Sequence, residues 1–153
     1  MLQCSFELND EPMSMFIIHG GISVPAFSGL EPHINKRASA CLLNVGPIPP
    51  GRYYIVDRES GGKLGWLKEA FLHRSDWFAL YAADGKVDDA TFCNEVLRGN
   101  FRLHPKGPRG ISEGCIVIES SADFHRVRVS LVGRGKFPIP GSTLSAYGVV
   151  TVE

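Results

Sequence analysis

The sequence predicts a mainly β domain, a sandwich or partly open barrel with one or two short helices. Three observations predict it. Runs rich in Val, Ile, Tyr and Phe are short and recur along most of the chain. The 17 glycines and 10 prolines are scattered between those runs and cut the chain into brief segments. Apolar residues at helical spacing occur in only two stretches.

In chain order, strands are expected at Leu2–Leu8, Met15–His19, Val24–Phe27, Arg52–Asp57, Phe78–Ala82, Asn100–His104 and Gly148–Val152. The proline-rich turn "GPIPPG" feeds the fourth of these, and Asp84-Gly85 is a turn signal after the fifth. Ser120 and Ser121 are candidate caps for a helix over about Ala122–Val132, with Gly133 just past its end. Phe124, Val127 and Leu131 share one face of that helix and are expected in the core. A second, weaker helical pattern covers Leu64–His73. Tyr53, Tyr54, Trp66 and Trp77 read as core residues rather than glycan-stacking groups.

A chain of 153 residues fits one domain and buries enough surface to need no disulfide or metal staple. Lys+Arg and Asp+Glu are both 16, which argues against a nucleic-acid or anionic-membrane surface, since such surfaces need excess positive charge. No run approaches the roughly 20 apolar residues of a membrane span. The N-terminal "MLQCSFELNDEPM" lacks a basic region followed by an apolar one, so no signal peptide is expected.

The chemistry concentrates in "RLHPKGPRGISEGCIVI", Arg102 to Ile118. His104 ends an expected strand, and a loop rich in glycine and proline leads to Cys115. A thiol attacks as thiolate and needs a base or a positive field. His104 would be the base, and Arg98, Arg102, Lys106 and Arg109 the field. Gly107, Gly110 and Gly114 would permit a tight turn, with backbone N–H groups near Cys115 as an oxyanion hole. Arg102 and His104 stand two apart on a strand and so share a face, which ranks Arg102 above Arg109 as a substrate-carboxylate ligand. Against this, cysteine is among the most buried residue types, and Cys115 directly precedes Ile-Val-Ile. On spacing alone nucleophile and core cysteine stand even. A metal site is weaker, because only His19 or His33 would complete the ligands. Cys4, Cys41 and Cys93 read as small buried residues. Two disulfides are permitted, and spacing does not assign them.

The same segment resembles the active-site motif of L,D-transpeptidases, a strand-end histidine followed by Ser/Thr-His-Gly-Cys. His104, Ser112, Gly114 and Cys115 match it. Glu113 stands where the common pattern has histidine, and Val117 where it has arginine. Together with "AFSG", "NVGPIPPGRYYIVDR" and "YGVVTV", the stretch is similar to type VI secretion effectors of L,D-transpeptidase type, from about Phe27 to Val152. The resemblance implies a single catalytic domain over residues 1–153, without cofactor or metal. It implies that Cys115 attacks the L-centre carbonyl of a peptidoglycan stem tetrapeptide, with His104 as acid–base. A backbone carbonyl, rather than an Asp, would orient the histidine, and the Ser112 region is one source for it. D-alanine would be released, or exchanged for another D-amino acid. The expected partners are a secretion-apparatus carrier and a cognate immunity protein, and the expected place of action is the target-cell periplasm. The rivals are a sortase-like transpeptidase using Arg126 or Arg128, a non-catalytic wall- or partner-binding module, and a structural protein of the secretion apparatus.

Overall fold

Alternation along the first strands sets the inside and outside of the molecule. In β1 (Leu2–Phe6), Leu2, Cys4 and Phe6 are buried while Gln3 is exposed; in β2 (Ser14–Ile18), Phe16 and Ile18 point in while Met15 and Ile17 point out. The structure, a computed structural model, describes residues 1–58, 76–107 and 114–153. The remaining barrel strands are β3 (Ser23–Phe27), β4 (Gly51–Asp57), β5 (Phe78–Ala82), β8 (Arg102–Pro105), β9 (Ile116–Ile118) and β12 (Gly148–Val152). Between and after them lie two small ribbons, β6 (Ala90–Cys93) with β7 (Val96–Gly99), and β10 (Phe137–Pro138) with β11 (Ser145–Ala146). The one α-helix among the described residues, α1 (Ser121–Gly133), follows β9.

Eight strands close into a barrel in the order β1-β12-β4-β5-β8-β9-β3-β2. Two of its pairings are parallel, β1 with β12 and β8 with β9; the others are antiparallel. The expected mainly β class is what the molecule adopts, and closure removes the free sheet edges that a sandwich would leave. All seven expected strands are present, with ends shifted by at most two residues. The second helical pattern, Leu64–His73, lies outside the described residues, as does Trp66.

The barrel is filled by Phe6, Phe16, Tyr53, Ile55, Phe78, Leu80, Leu103, Ile116 and Ile118 among others, and α1 adds Phe124, Val127 and Leu131 to the same core. Each such side chain contributes about 1.5–3 kcal/mol by leaving water. The Ser120 hydroxyl accepts from the Asp123 N–H at 3.3 Å and caps α1. Gly133 is the last helical residue rather than the one beyond, and the left-handed turn falls at Gly135. A second apolar cluster, Val56, Ala79, Tyr81, Ile139 and Ala146, lies on the outer face of β4 and β5 under the β10–β11 ribbon.

The long connection from β3 to β4 is built on buried polar groups. The Asn35 side chain accepts from the Ser28 N–H at 2.9 Å and donates to the Glu11 carbonyl at 2.9 Å, and the Ser28 hydroxyl accepts from the Ile48 N–H at 2.8 Å. Gly46 turns so tightly that a Cβ there would run into the Ser39 carbonyl. The pairing that spacing leaves open is resolved: a disulfide joins Cys41 and Cys93 across 52 residues and ties this connection to the β6–β7 ribbon, so these two are not the isolated buried cysteines of the simplest reading. Only Cys4 is the small buried cysteine that was expected. Spacing could not reveal the pairing because the two residues meet only through tertiary structure.

The inward face of α1 predicts a contrast. Leu131→Ala removes a fully buried side chain and is expected to cost about 3 kcal/mol, whereas Val129→Ala, on the exposed face, is expected to stay within about 0.5 kcal/mol. Urea unfolding of the two variants against the parent measures both.

Candidate functional site

The register of β8 and β9 builds the site. Leu103 pairs with Ile116 and His104 with Val117, in parallel. Leu103 and Ile116 point into the core, so Arg102 and His104 face outward on β8. Extending the register by one residue sets Cys115 beside Arg102. His104 is then two residues further along the neighbouring strand, roughly 7 Å along and about 5 Å across, on the same face. The register thus brings Arg102, His104 and Cys115 to one face of the barrel.

His104 is buried, 6% exposed. Its Nδ1 lies 2.7 Å from the carbonyl oxygen of Pro105. A carbonyl only accepts, so Nδ1 carries a proton and donates it, and Nε2 is the basic nitrogen of the neutral ring. A backbone carbonyl, that of the adjacent Pro105, orients the histidine; the Ser112 region lies outside the described residues. The imidazole also stacks on the indole of Trp77, with centroids 4.1 Å apart and planes 16° apart. The Arg58 guanidinium lies over the other partner of that stack, 5.1 Å from the Trp77 ring. Trp77, read from sequence as core, is half-buried and serves as a wall of the site. Nothing in the local sequence signals this, because Trp77 and His104 are 27 residues apart.

Gly114 precedes Cys115 with φ +99, a backbone conformation that favours glycine. A Cβ there would stand 2.5 Å from the Arg98 guanidinium and 3.0 Å from the Phe101 ring. The position therefore demands glycine twice over, for its dihedral and for its space. Gly107, in contrast, meets open space. The half-exposed Cys115 thiol sits 3.9 Å from the Asn100 carbonyl oxygen, to which it donates. Cys4, by comparison, is sealed in the core, and burial pushes its thiol up to about 12, so it stays protonated.

The surrounding cations are placed differently from the general positive field that the sequence implies. Arg98 is buried, 3% exposed, and its guanidinium donates to the carbonyls of Ala40, Gly46 and Pro47. Lys106 pairs with Glu119 at 3.1 Å. Arg102 makes a two-pronged ion pair with Asp89, at 2.9 and 2.7 Å, and also donates to the Phe101 carbonyl at 2.8 Å. Burial opposes the charge of Arg102, yet the hydrogen bonds and charge of Asp89, with smaller contributions from Cys115 and Tyr81, raise its pKa on balance. The coupling to Cys115 agrees with the register that sets the two side by side. Asp89 was not singled out from sequence. Arg109, Ser112 and Glu113 lie outside the described residues.

His19 and His33, the conceivable metal partners of Cys115, are engaged elsewhere, with the hydroxyls of Ser5 at 3.1 Å and Ser39 at 2.9 Å. Arg126 and Arg128, which a sortase-like site would need at the cysteine, lie on α1; Arg126 pairs with Asp123, and Arg128 donates to the Asp76 carbonyl. Among the described residues, no helix is long and apolar enough to cross a membrane.

The family model of the Tlde1 domain matches residues 22–142, a span that contains His104, Gly114 and Cys115. Comparison with curated proteins and comparison with solved structures each gave no match.

Two outcomes are expected at these residues. Gly114→Ala forces a side chain against Arg98 in an unfavourable dihedral and should lower the alkylation rate of Cys115 by iodoacetamide about tenfold or more; peptide mass spectrometry reads that rate. Arg102→Met removes the cation beside the thiol and should move the midpoint of Cys115 alkylation up by about one pH unit. A pH series of the same alkylation measures the shift.

Proposed function

Since the chain belongs to the Tlde1 domain family, a family of type VI secretion effectors, we propose that it is an antibacterial L,D-carboxypeptidase and L,D-transpeptidase acting on peptidoglycan stem peptides. The observation that carries this reading is the Pro105 carbonyl on His104 Nδ1, on the barrel face that also presents Cys115. It fixes the tautomer whose Nε2 can accept the thiol proton.

In this mechanism the Cys115 thiolate attacks the carbonyl on the L-centre of the penultimate stem residue. His104 Nε2 takes the thiol proton and returns it to the amine of the departing D-alanine. The N–H groups of Gly114 and Cys115 hold the developing oxyanion, oriented by the left-handed turn at Gly114. A thioester remains on Cys115. Water attacks it in the carboxypeptidase reaction, with His104 as base; the amine of a D-amino acid attacks it in exchange. Trp77 holds the imidazole plane through both steps. Arg109 is assigned to the substrate carboxylate and Ser112 to a hydroxyl hydrogen bond that supports the histidine. Arg102, already engaged by Asp89, is assigned to the thiolate rather than to substrate.

As a type VI effector the chain implies a cognate immunity protein in the cell that makes it. The Cys41–Cys93 disulfide supports action in an oxidising compartment, for which the target periplasm is proposed.

Mass spectrometry of a disaccharide-tetrapeptide incubated with the protein tests the reading. The expected products are the tripeptide and D-alanine, or a mass shift for exchange when another D-amino acid is added. Cys115→Ala should reduce both by roughly 10⁴-fold. A tetrapeptide left intact by folded, unmodified protein would overturn the proposal.

A further inference from the structure

The β6–β7 ribbon stands apart from the barrel, yet it touches the nucleophile turn. Phe92 and Leu97 are 73% and 55% exposed, and Arg98 is the only buried residue in its two strands. A two-stranded ribbon without a buried apolar face is marginal in water. Two of the constraints that hold it run to the same stretch of the β3–β4 connection. Cys93 is bonded to Cys41, and Arg98 donates to the carbonyls of Ala40, Gly46 and Pro47. The other side of the Arg98 guanidinium rests against Gly114 and over the Phe101 ring, 5.4 Å from its centroid. Among the described residues no carboxylate pairs with it. The ribbon and the residues flanking it also supply Asp89, which holds Arg102, and Asn100, whose carbonyl meets the thiol.

We propose that the β6–β7 ribbon is a clamp on the catalytic turn, with Arg98 as a positioning residue for Gly114 and Cys115 and the Cys41–Cys93 disulfide as its redox latch. The proposal rests on Cys115 being the nucleophile. With the disulfide closed, the guanidinium is held against Gly114 and fixes the backbone that carries Cys115, while Asp89 holds Arg102 beside the thiol. With it open, the ribbon is held to the β3–β4 connection by the Arg98 hydrogen bonds without the covalent tie, Arg102 loses the firm placement of Asp89, and the thiol loses its activation. Closing the latch transfers two electrons and two protons to a disulfide-bonded oxidant. One of the two thiolates attacks the oxidant's disulfide and releases its first thiol, and the other cysteine then displaces the second. A reducing cytoplasm would keep the enzyme slack, and an oxidising compartment would set it.

The test uses the whole protein in three forms: oxidised, reduced with a phosphine and desalted without oxygen, and Cys41→Ala/Cys93→Ala. In each, the rate and pH midpoint of Cys115 alkylation by iodoacetamide are read on the Cys115 peptide alone. Far-UV circular dichroism confirms that the barrel is intact. Oxidised protein is expected to react about tenfold faster at neutral pH, with a midpoint about one unit lower, than the other two forms. Arg98→Met should resemble the reduced form, and Arg98→Lys should recover part of the midpoint shift. A merely structural latch would change thermal stability and leave the midpoint in place, which would overturn the proposal. Equal, activated thiols in all three forms would also overturn it while leaving Cys115 as nucleophile. An ordinary, unactivated thiol in the oxidised protein would remove both the clamp and the nucleophile assignment.

Discussion

The parallel pairing of β8 with β9 is the constraint on which both core and site depend. Parallel neighbours cannot be joined by a tight hairpin, so the chain after Pro105 must return along β8 before it re-enters the sheet at Ile116. That return path ends in the left-handed turn at Gly114 and sets Cys115 down beside Arg102. The same register sends Leu103, Ile116 and Ile118 inward as fully buried core. A slip of one residue would carry Cys115 into the barrel and bring Ile116 out to face His104. Packing of the interior therefore fixes which side chains face the chemistry, and neither face can be altered without the other.

Most of the barrel was legible because alternation is a local property. Leu2–Phe6, Phe78–Ala82 and Gly148–Val152 announce themselves by residue type alone. Strand β9 was not assigned, since Ile116–Ile118 is short and buried on both faces, and a continuous apolar run carries no period. The β6–β7 ribbon was missed for the opposite reason: its larger apolar residues, Phe92 and Leu97, face water, so no pattern marks an inside. Within the site, His104 and Cys115 were found because they share one segment. The Pro105 carbonyl, the Trp77 stack, Asp89 on Arg102 and the burial of Arg98 are not legible there, because each is a contact that only the folded chain creates.

The electrostatics illustrate the same difference of scale. Counted from the sequence, four cations surround the His–Cys segment while the chain as a whole is neutral. In the fold, Lys106 is matched by Glu119 near the surface, where such a pair has little effect on a distant group. Arg102 is matched by Asp89 and half-buried, so its position is fixed even though its charge is largely compensated. Arg98 alone is surrounded by neutral carbonyls, and desolvation lowers its pKa, with the Tyr53 phenol acting in the opposite sense. A guanidinium stays protonated even so. Among the described residues the cations are therefore not a diffuse positive patch: Arg102 is held beside Cys115 by Asp89, and Arg98 is held against Gly114 by carbonyls.

Four cysteines in one chain invite disulfide scrambling, and the fold separates them by environment. Cys4 is sealed beneath β1, and burial keeps its thiol protonated through the neutral range, so it cannot exchange. Cys41 and Cys93 consume each other across the ribbon. Cys115 stands half-exposed on the outer face, beside Arg102 and next to Gly114, against which the Arg98 guanidinium lies. Selective reactivity here requires more than activating one thiol. In the proposed mechanism it requires that the other three be withdrawn, one by burial and two by pairing, so that the thiolate most available to an incoming carbonyl is the one assigned to His104.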